Sequence, residues 1–491
     1  MRRLRIASCW FILVCLLLGT ARLSRLAGQT AQAGTTVFEG GRLITGDGSA
    51  PIESSAFVVR GSLITQVGRR GEVRVPAGAA HVDLSGKTVM PALIDLHGHY
   101  GFQNITEGTM SKSFFTRQNL LDHLERLAYV GVGATVGVGD LEDRSDMHGG
   151  RTHWGDVPLQ LRKEVIPNAA LFRTAGTGIA WPGSGPQGDP SRVDVPYPVT
   201  TPEEARKAVD DYVKMKPEFI KIWVDDREGT KKTLTPELYG AIADEAHKFN
   251  VPVGVHNVTL ANAKQLMRDG VEGWLHVPVR GGEAVDEELM GIVKQRVARR
   301  DRPVMWMTPA LITAWMDTQG GSRPAWLDDP LLRDLYSPEQ IEQYWGAPLA
   351  KRTPAEVERA RRDFALQASN AMKLRTAGMR IVSGTDTGQT RFLIGFFNQL
   401  DLESMVAMGL TPSEAIVAAT RDGAEIAHIN AGMIAPGKSA DFIVVDANPL
   451  EKIANARRIS DVYLRGQKVD RAGLKAKWAA ERNNKTRLSR N

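Results

Sequence analysis

His97 and His99 stand two residues apart, just after an apolar run at residues 89–95. In an extended strand, residues i and i+2 point to the same side, so both imidazoles can converge on one metal ion. Four more residues widen that chemistry. Lys221 lies inside Phe219-Ile220-Lys221-Ile222-Trp223, where an unpaired ammonium is costly. Either its stem snorkels at a strand edge, or CO2 carboxylates the amine and the carbamate becomes an anionic ligand bridging two cations. His256 closes Gly254-Val255-His256, His276 closes Trp274-Leu275-His276, and Asp386 closes Ser383-Gly384-Thr385-Asp386. One buried histidine is more often a satisfied core residue than a ligand. Four histidines, a lysine and an aspartate, each near the end of an apolar run, form a metal-site pattern. Imidazole and carboxylate donors suit zinc, and manganese, cobalt, nickel and iron accept them too.

These residues need elements to hold them. Apolar runs recur at residues 89–95, 134–138, 169–173, 219–224, 251–256, 273–277, 303–307 and 380–384. Helical stretches at 118–129, 201–215, 235–249, 262–269 and 354–377 lie between them. Strands alternating with helices predict a parallel sheet, and eight of them suit a (β/α)8 TIM barrel whose active site lies at the C-terminal strand ends. An open doubly wound sheet is the alternative, but no glycine fingerprint follows the first strand. Short β-branched runs and turns occupy residues 34–88 and return at 429–470, which predicts a small β-sandwich domain built from both ends of the chain around a barrel at 89–428. Between the last two strands, residues 308–354 include Trp315, Trp326, Tyr336, Tyr344 and Trp345. That aromatic density argues against disorder and fits a lid-like insertion, or a loop packed on the barrel or on a neighbouring subunit.

Charge and cysteines narrow the function classes. The chain has 491 residues and a formal charge of +6. Residues 1–33 hold five arginines and no acid, while the basic tail at 471–491 holds seven bases against Glu481. Removing both leaves a mildly acidic body, which does not fit a nucleic-acid partner; the tail reads as a solvated, frayed end. Arg2, Arg3 and Arg5 precede a mostly apolar stretch, and Ala31-Gln32-Ala33 offers a small-x-small cleavage site, the pattern of a secretory signal peptide. It predicts a periplasmic or secreted protein cleaved after Ala33, with membrane attachment only if the signal stays uncleaved. Both cysteines, Cys9 and Cys15, lie in this segment, so neither a disulfide framework nor a cysteine nucleophile is expected beyond it.

The run Val89-Met90-Pro91-Ala92-Leu93-Ile94-Asp95-Leu96-His97-Gly98-His99 resembles the first-strand motif of the amidohydrolase superfamily. Gly437-Lys438-Ser439-Ala440-Asp441-Phe442-Ile443-Val444 resembles that superfamily's C-terminal sandwich signature. The likeness runs from about Thr36 to Gln467. It is to the branch with a binuclear site bridged by a carboxylated lysine, near imidazolonepropionases and Xaa-Pro dipeptidases. The resemblance implies two divalent metal ions, with zinc the expected metal. His97, His99 and Asp386 would hold the more buried ion and His256 and His276 the other, with a CO2-derived carbamate on Lys221 and a hydroxide between them. Paired cations lower the pKa of bound water from about 15.7 toward neutrality, and Asp386 is placed to shuttle the proton to the leaving group. Imidazolonepropionases themselves are mononuclear and have no need of Lys221.

The expected function is therefore hydrolysis of an amide C–N bond in a small molecule, such as a dipeptide or N-acyl amino acid. A lactone, carbamate or phosphoester hydrolase on the same site is the alternative, and a binding protein that has lost catalysis is a third. Ala92 replaces the glycine that usually follows the motif proline. The second strand is followed by Val138-Gly139-Asp140 where many relatives have arginine-aspartate, and Gly176-Thr177-Gly178 stands where many have glycine-glycine-histidine. Substrate identity is therefore not transferred. Arg280 and Arg391 are candidates for a substrate carboxylate, because guanidinium matches it as a fork. Tyr100 could polarise a carbonyl or pack beneath the ligands. Asp95 and Asn257 could orient ligands. A homo-oligomer is compatible with the sequence.

Overall fold

A computed structural model describes residues 34–140, 157–186, 192, 195–299, 303–389 and 391–488. The expected signal peptide at 1–33 and the end of the basic tail lie outside the described residues. The first part contributes strands β1 (Thr35–Glu39), β2 (Arg42–Leu43), β3 (Ser55–Arg60), β4 (Leu63–Arg69), β5 (Ala80–Asp83) and β6 (Thr88–Pro91). The middle contributes β7 (Leu93–Gly98), a hairpin of β8 (Gln103–Asn104) and β9 (Thr109–Met110), then β10 (Val132–Gly137), β11 (Leu171–Thr174), β12 (Ile179–Ala180) and β13 (Tyr197–Pro198). It continues with β14 (Ile220–Val224), β15 (Val253–Asn257), β16 (Gly273–Leu275), β17 (Trp306–Thr308) and β18 (Arg380–Ile381). The last part adds β19 (Phe442–Val445), β20 (Ile459–Leu464) and β21 (Gln467–Lys468).

The fold is α/β with both parallel and mixed sheets. Order β11-β10-β7 makes one parallel sheet, and β13-β12-β14-β15-β16-β17-β18 makes another. Every residue of β7, β10, β14 and β15 is buried, as expected of parallel strands covered on both faces. Beyond β18 the backbone stays alongside β7: Leu96 N–H donates to Ser383 O at 3.1 Å, Asp386 N–H to His97 O at 2.7 Å and His99 N–H to Thr387 O at 2.6 Å. On the other side, Glu218 N–H donates to Thr174 O at 3.3 Å, linking β11 to the approach of β14.

Thr-Pro pairs start the helices that return the chain between strands. Thr201, Thr353 and Thr411 each accept from the N–H of a glutamate three residues on, and that glutamate bonds back to the threonine N–H. The following proline has its φ preset for the first helical position.

The apolar run at 89–95 divides where one strand was expected. Its first half, β6, pairs antiparallel with β19, and its second half, β7, pairs parallel with β10. Two peripheral sheets, β4-β3-β1-β5 and β2-β6-β19-β20-β21, share an apolar cluster containing Phe38, Phe57, Phe442 and Tyr463. Phe38 stacks on Phe57 at 5.0 Å and Phe442 on Tyr463 at 4.7 Å, pairs each worth about 0.5–1.5 kcal/mol beyond burial.

The tail differs from expectation, and the insertion follows one of the alternatives its aromatics offered. The tail is helical over Arg471–Leu488 rather than frayed. Trp478 is fully buried, packs edge-on against Tyr129 at 5.3 Å and donates from Nε1 to Asp122 at 2.8 Å. Lys477 is paired with Glu125 at 2.5 Å, so part of the tail's charge is neutralised on the body. In the insertion at 308–354, Trp326, Tyr336, Tyr344 and Trp345 are all buried. Trp345 lies 5.9 Å from Phe397 and Tyr336 donates to Ile394 O at 3.2 Å, so these aromatics pack the segment onto the helix Phe396–Met408.

Candidate active site

Register, more than side-chain contact, brings the first three candidate ligands together. Asp386 reaches β7 through its own N–H bond to His97 O, and His99 N–H is tied to Thr387 O one residue beyond. The result places Asp386 Oδ1 3.3 Å from His97 Nε2 and 3.0 Å from His99 Nε2. All three ligand atoms lie within 4.8 Å of one another. Asp386 holds this position in the left-handed region at φ 56°, and His276 has φ 129°. Non-glycine residues there cost on the order of 1–3 kcal/mol each and cluster at functional sites.

The tautomer of His99 decides what the trio can hold. Its Nδ1 faces the Val138 carbonyl, which only accepts, so Nδ1 carries the proton. Nε2 then presents a lone pair to an anionic oxygen 3.0 Å away. Two lone pairs facing each other in a buried site repel, and a cation between them removes the conflict. Burial disfavours the charged forms of His97, His99 and His276 and pushes their pKa values down. Burial alone would raise Asp386, but positive charge nearby, Arg280 included, holds it well below the usual carboxylate range. Neutral imidazoles and a carboxylate are the protonation states a divalent ion requires.

Asp95 anchors this arrangement from beneath. It is fully buried and accepts from His97 N at 2.9 Å, Thr385 N at 3.2 Å, Thr385 Oγ1 at 2.6 Å and Asn398 Nδ2 at 2.7 Å. The orienting role considered for it is thus exercised through the backbone of both strands. Tyr100 packs under the ligands: its hydroxyl donates to Asp95 at 3.2 Å and accepts from Thr135 at 2.8 Å, and the ring is buried. It does not face a substrate carbonyl. Strand alternation explains this, since Tyr100 shares parity with Gly98 and Leu96, opposite to His97 and His99.

His276 stands 4.0 Å from Asp386 Oδ2, and its ring centroid is 5.0 Å from those of both His97 and His256. Lys221 is buried within β14, its Nζ 4.9 Å from the Trp223 ring. Desolvation pushes its pKa well down, so the bland snorkelling posture does not apply. His256, by contrast, is engaged elsewhere. Its Nε2 lies 3.0 Å from Asp225 Oδ2, 3.4 Å from Arg227 Nη1 and 3.3 Å from Arg280 Nη2. Desolvation and the nearby Arg280 push its pKa down to about 3.

Asp225 and Arg227 were missed in the sequence. Asp225 follows β14 directly, at the strand-end level where active-site residues are sought, and it shares strand parity with Lys221. These two and Arg280 line a cavity of about 660 Å3, together with Pro309, Ala310, Leu311 and Ala314. The start of the insertion thus borders the cavity while its aromatics anchor it. Arg391 does not join this cluster: its guanidinium stacks 4.9 Å from the Trp345 ring and Nε donates to Tyr344 O at 3.3 Å. Asn257 donates to Thr259 O and Pro278 O, both at 2.9 Å, and so ties two loops together rather than orienting His256.

Comparison with known proteins shows what the chain resembles. Residues 347–469 match the amidohydrolase family. The enamidase of Eubacterium barkeri is 22% identical over 431 residues, spanning 84% of this chain and 87% of the enamidase. A protein provisionally called a prolidase, from Bifidobacterium longum, has a similar structure with TM-score 0.65 and 24% identity, covering 91% of this chain and 99% of that one. A Xaa-Pro dipeptidase with methionine in its active site aligns with TM-score 0.63 and 21% identity, covering 89% and 99%.

Proposed function

We propose that this chain is a hydrolase of the amidohydrolase superfamily acting on carbon–nitrogen bonds, and that it cleaves the amide bond of a small dipeptide or N-acyl amino acid. The observation that carries the reading is the His99 Nε2 lone pair facing Asp386 at 3.0 Å beside His97. His97, His99 and Asp386 would hold one divalent ion, zinc by donor type. His256, His276 and a CO2-derived carbamate on Lys221 would hold a second. When bound, such ions polarise a carbonyl and make water acidic enough to attack it near neutral pH.

The chain's own residues supply the rest. Asp386, ionised in this setting, takes the proton from the attacking water and returns it to the departing nitrogen. Asp95 fixes both strands that carry the ligands, so the acceptor and the imidazoles keep their spacing. Arg280 holds a substrate carboxylate at the cavity wall.

The wider frame is proposed in the same terms. The hydrogen bonds from β7 to residues 383–387, and from β11 to Glu218, support a closed (β/α)8 barrel over 89–428, with a lid-like insertion at 308–354. The cluster around Phe38 and Phe442 supports a sandwich built from 34–88 and 429–470. Residues 1–33 would export the enzyme to the periplasm or beyond, and a homo-oligomer remains our working assembly.

The test is turnover by metal-loaded protein on Xaa-Pro dipeptides, N-acyl amino acids, lactones and aryl phosphates, with metal content measured alongside. Amide cleavage, two metals per chain, and one metal in Lys221→Met are expected. Turnover confined to lactones or phosphoesters would replace the amidase reading.

A further inference from the structure

In the larger parallel sheet, β17 lies between β16 and β18, the strands that lead to His276 and Asp386. It carries no candidate ligand itself. Thr308 is its last residue, fully buried and in register with Leu275. Its Oγ1 lies 3.4 Å from His97 Nδ1 and 3.5 Å from the Trp274 carbonyl oxygen. Among the described residues, Thr308 is the hydrogen-bond partner of that ring nitrogen.

Both contacts are long for hydrogen bonds, so the direction imposed by the atoms matters more than the strength. A carbonyl oxygen only accepts, so the Thr308 hydroxyl hydrogen goes to Trp274. The hydroxyl then offers a lone pair to His97, and Nδ1 carries the ring proton. His97 Nε2, 3.3 Å from Asp386 Oδ1, is left with the lone pair that a cation needs. Without an acceptor at Nδ1, the proton would move to Nε2 and bond to Asp386, closing the trio against an ion.

Packing holds the hydroxyl in place. A methyl built on Gly384 would fall 2.5 Å from Thr308 Cγ2 and 2.8 Å from His97 Cβ. The room left by that glycine is therefore where the threonine methyl fits, beside His97, and a β-branched side chain is stiff at χ1. His99 is held more simply. Its Nδ1 faces the Val138 carbonyl, which leaves no choice of tautomer, whereas a hydroxyl can donate or accept and needs Trp274 to decide.

We infer that Thr308 is a positioning residue for the ion at the trio: its hydroxyl accepts from His97 Nδ1–H, donates to Trp274 O, and so keeps Nε2 free for the ion. The inference rests on the trio being a metal site, as proposed above. Trp274 stands two residues before His276. The same bonds therefore run from a candidate ligand of one ion to the strand that presents a candidate ligand of the other.

Three substitutions separate the hydroxyl from the methyl. Thr308→Val keeps the shape and removes the acceptor, Thr308→Ser keeps the hydroxyl and loses the methyl, and Thr308→Ala loses both. Each full chain is stripped of metal, zinc affinity and stoichiometry are measured by competition with a chromophoric chelator, and melting is followed in the same metal-free protein. One zinc per chain should bind about 10–100-fold more weakly in Thr308→Val and Thr308→Ala, and with near-native affinity in Thr308→Ser. Serine and alanine variants share the loss of a buried methyl and should both melt below the native chain. A zinc loss in alanine but not in serine therefore separates the hydroxyl from stability, even if the valine variant does not fold. Affinities that follow the methyl, with serine matching alanine, would overturn the role of Thr308 alone. A native chain that binds no zinc would overturn both this role and the metal site of the proposed function. If affinity follows the hydroxyl but no amide is ever cleaved, Thr308 keeps its role and the amidase reading falls.

Discussion

The two ends of the candidate site are built on different principles. At the His97 end, distances are set by backbone register: three hydrogen bonds join residues 96–99 to residues 383–387, and Asp95 ties the two strands from below. At the His256 end, the spacing comes from side chains on loops, with Asp225, Arg227 and Arg280 competing for one nitrogen. The first arrangement can hardly move without breaking the sheet. The second can exchange partners by rotating side chains. The ion at the trio needs fixed donors, and backbone register supplies them; around His256 the donors are held by side-chain contacts alone.

Removing a donor from the rigid end should have the largest effect. His99→Ala is expected to lose the ion at the trio and at least about a thousandfold in kcat/KM, since a bound cation supplies several kcal/mol of charge stabilisation. Asp225→Asn at the adjustable end should instead leave that ion in place and act mainly through KM. Metal analysis and steady-state kinetics on both variants would check this. Equal metal loss from the two would erase the distinction.

How visible these two ends are in the sequence follows from the same division. His97, His99 and Asp386 could be found because strand alternation and strand-end position are local properties, written in residues 95–99 and 383–386. The helices at Pro202, Pro236 and Pro354 were legible for a similar reason, since threonine followed by proline marks a helix start. The split of residues 89–95 was not legible, because nothing in an evenly apolar run says that Phe442 pairs with one half. Asp225 and Arg227 escaped for a stronger reason. Their partners, Gly185 and His256, come from separate loops, and an ion pair across loops leaves no periodicity. Arg391 misled because a guanidinium's fit to a carboxylate says nothing about Trp345, on which it stacks. The tail was misread from charge alone. Leu474 and Trp478, one helical turn apart, carry the buried face.

Glycine substitutions should sharpen the contrast at intermediate cost. A methyl on Gly388, at φ +100°, would fall 1.7 Å from the His99 carbonyl oxygen, so the backbone beside the ligand must move. Gly388→Ala is expected to destabilise by about 3 kcal/mol or more and to weaken metal binding by about 10–100-fold. Gly229 in the arginine loop has φ +79° with nothing within 4 Å of the added methyl. Its replacement should cost only the conformational strain, about 1–2 kcal/mol, and spare metal affinity. Thermal denaturation with and without added zinc would read both quantities. A Gly229→Ala variant that loses metal as badly as Gly388→Ala would mean that the loop end is as rigid as the strand end.

The smallest effect concerns acid. His123 supports the rigid end from behind: its buried Nδ1 accepts from Gly101 N–H at 3.0 Å, just past His99, which leaves Nε2–H to donate to Gln103 O at 2.8 Å. Burial pushes its pKa down to about 4 from an ordinary 6.5. The folded state therefore binds fewer protons than the unfolded state between these values. Stability from the neutral ring is complete above pH 6.5 and falls as pH drops toward 4, by about 2 kcal/mol between pH 7 and pH 5. Protonation also removes the acceptor that holds the turn after His99, so acid should loosen the His97 end specifically. Urea unfolding at pH 7 and pH 5 would compare the native chain with His123→Gln, which is less stable at pH 7 but lacks this titration. The gap between them should narrow by about that amount at the lower pH. A gap independent of pH would show that His123 does not titrate in this range, and that the rigidity of the first end owes nothing to its neutral ring.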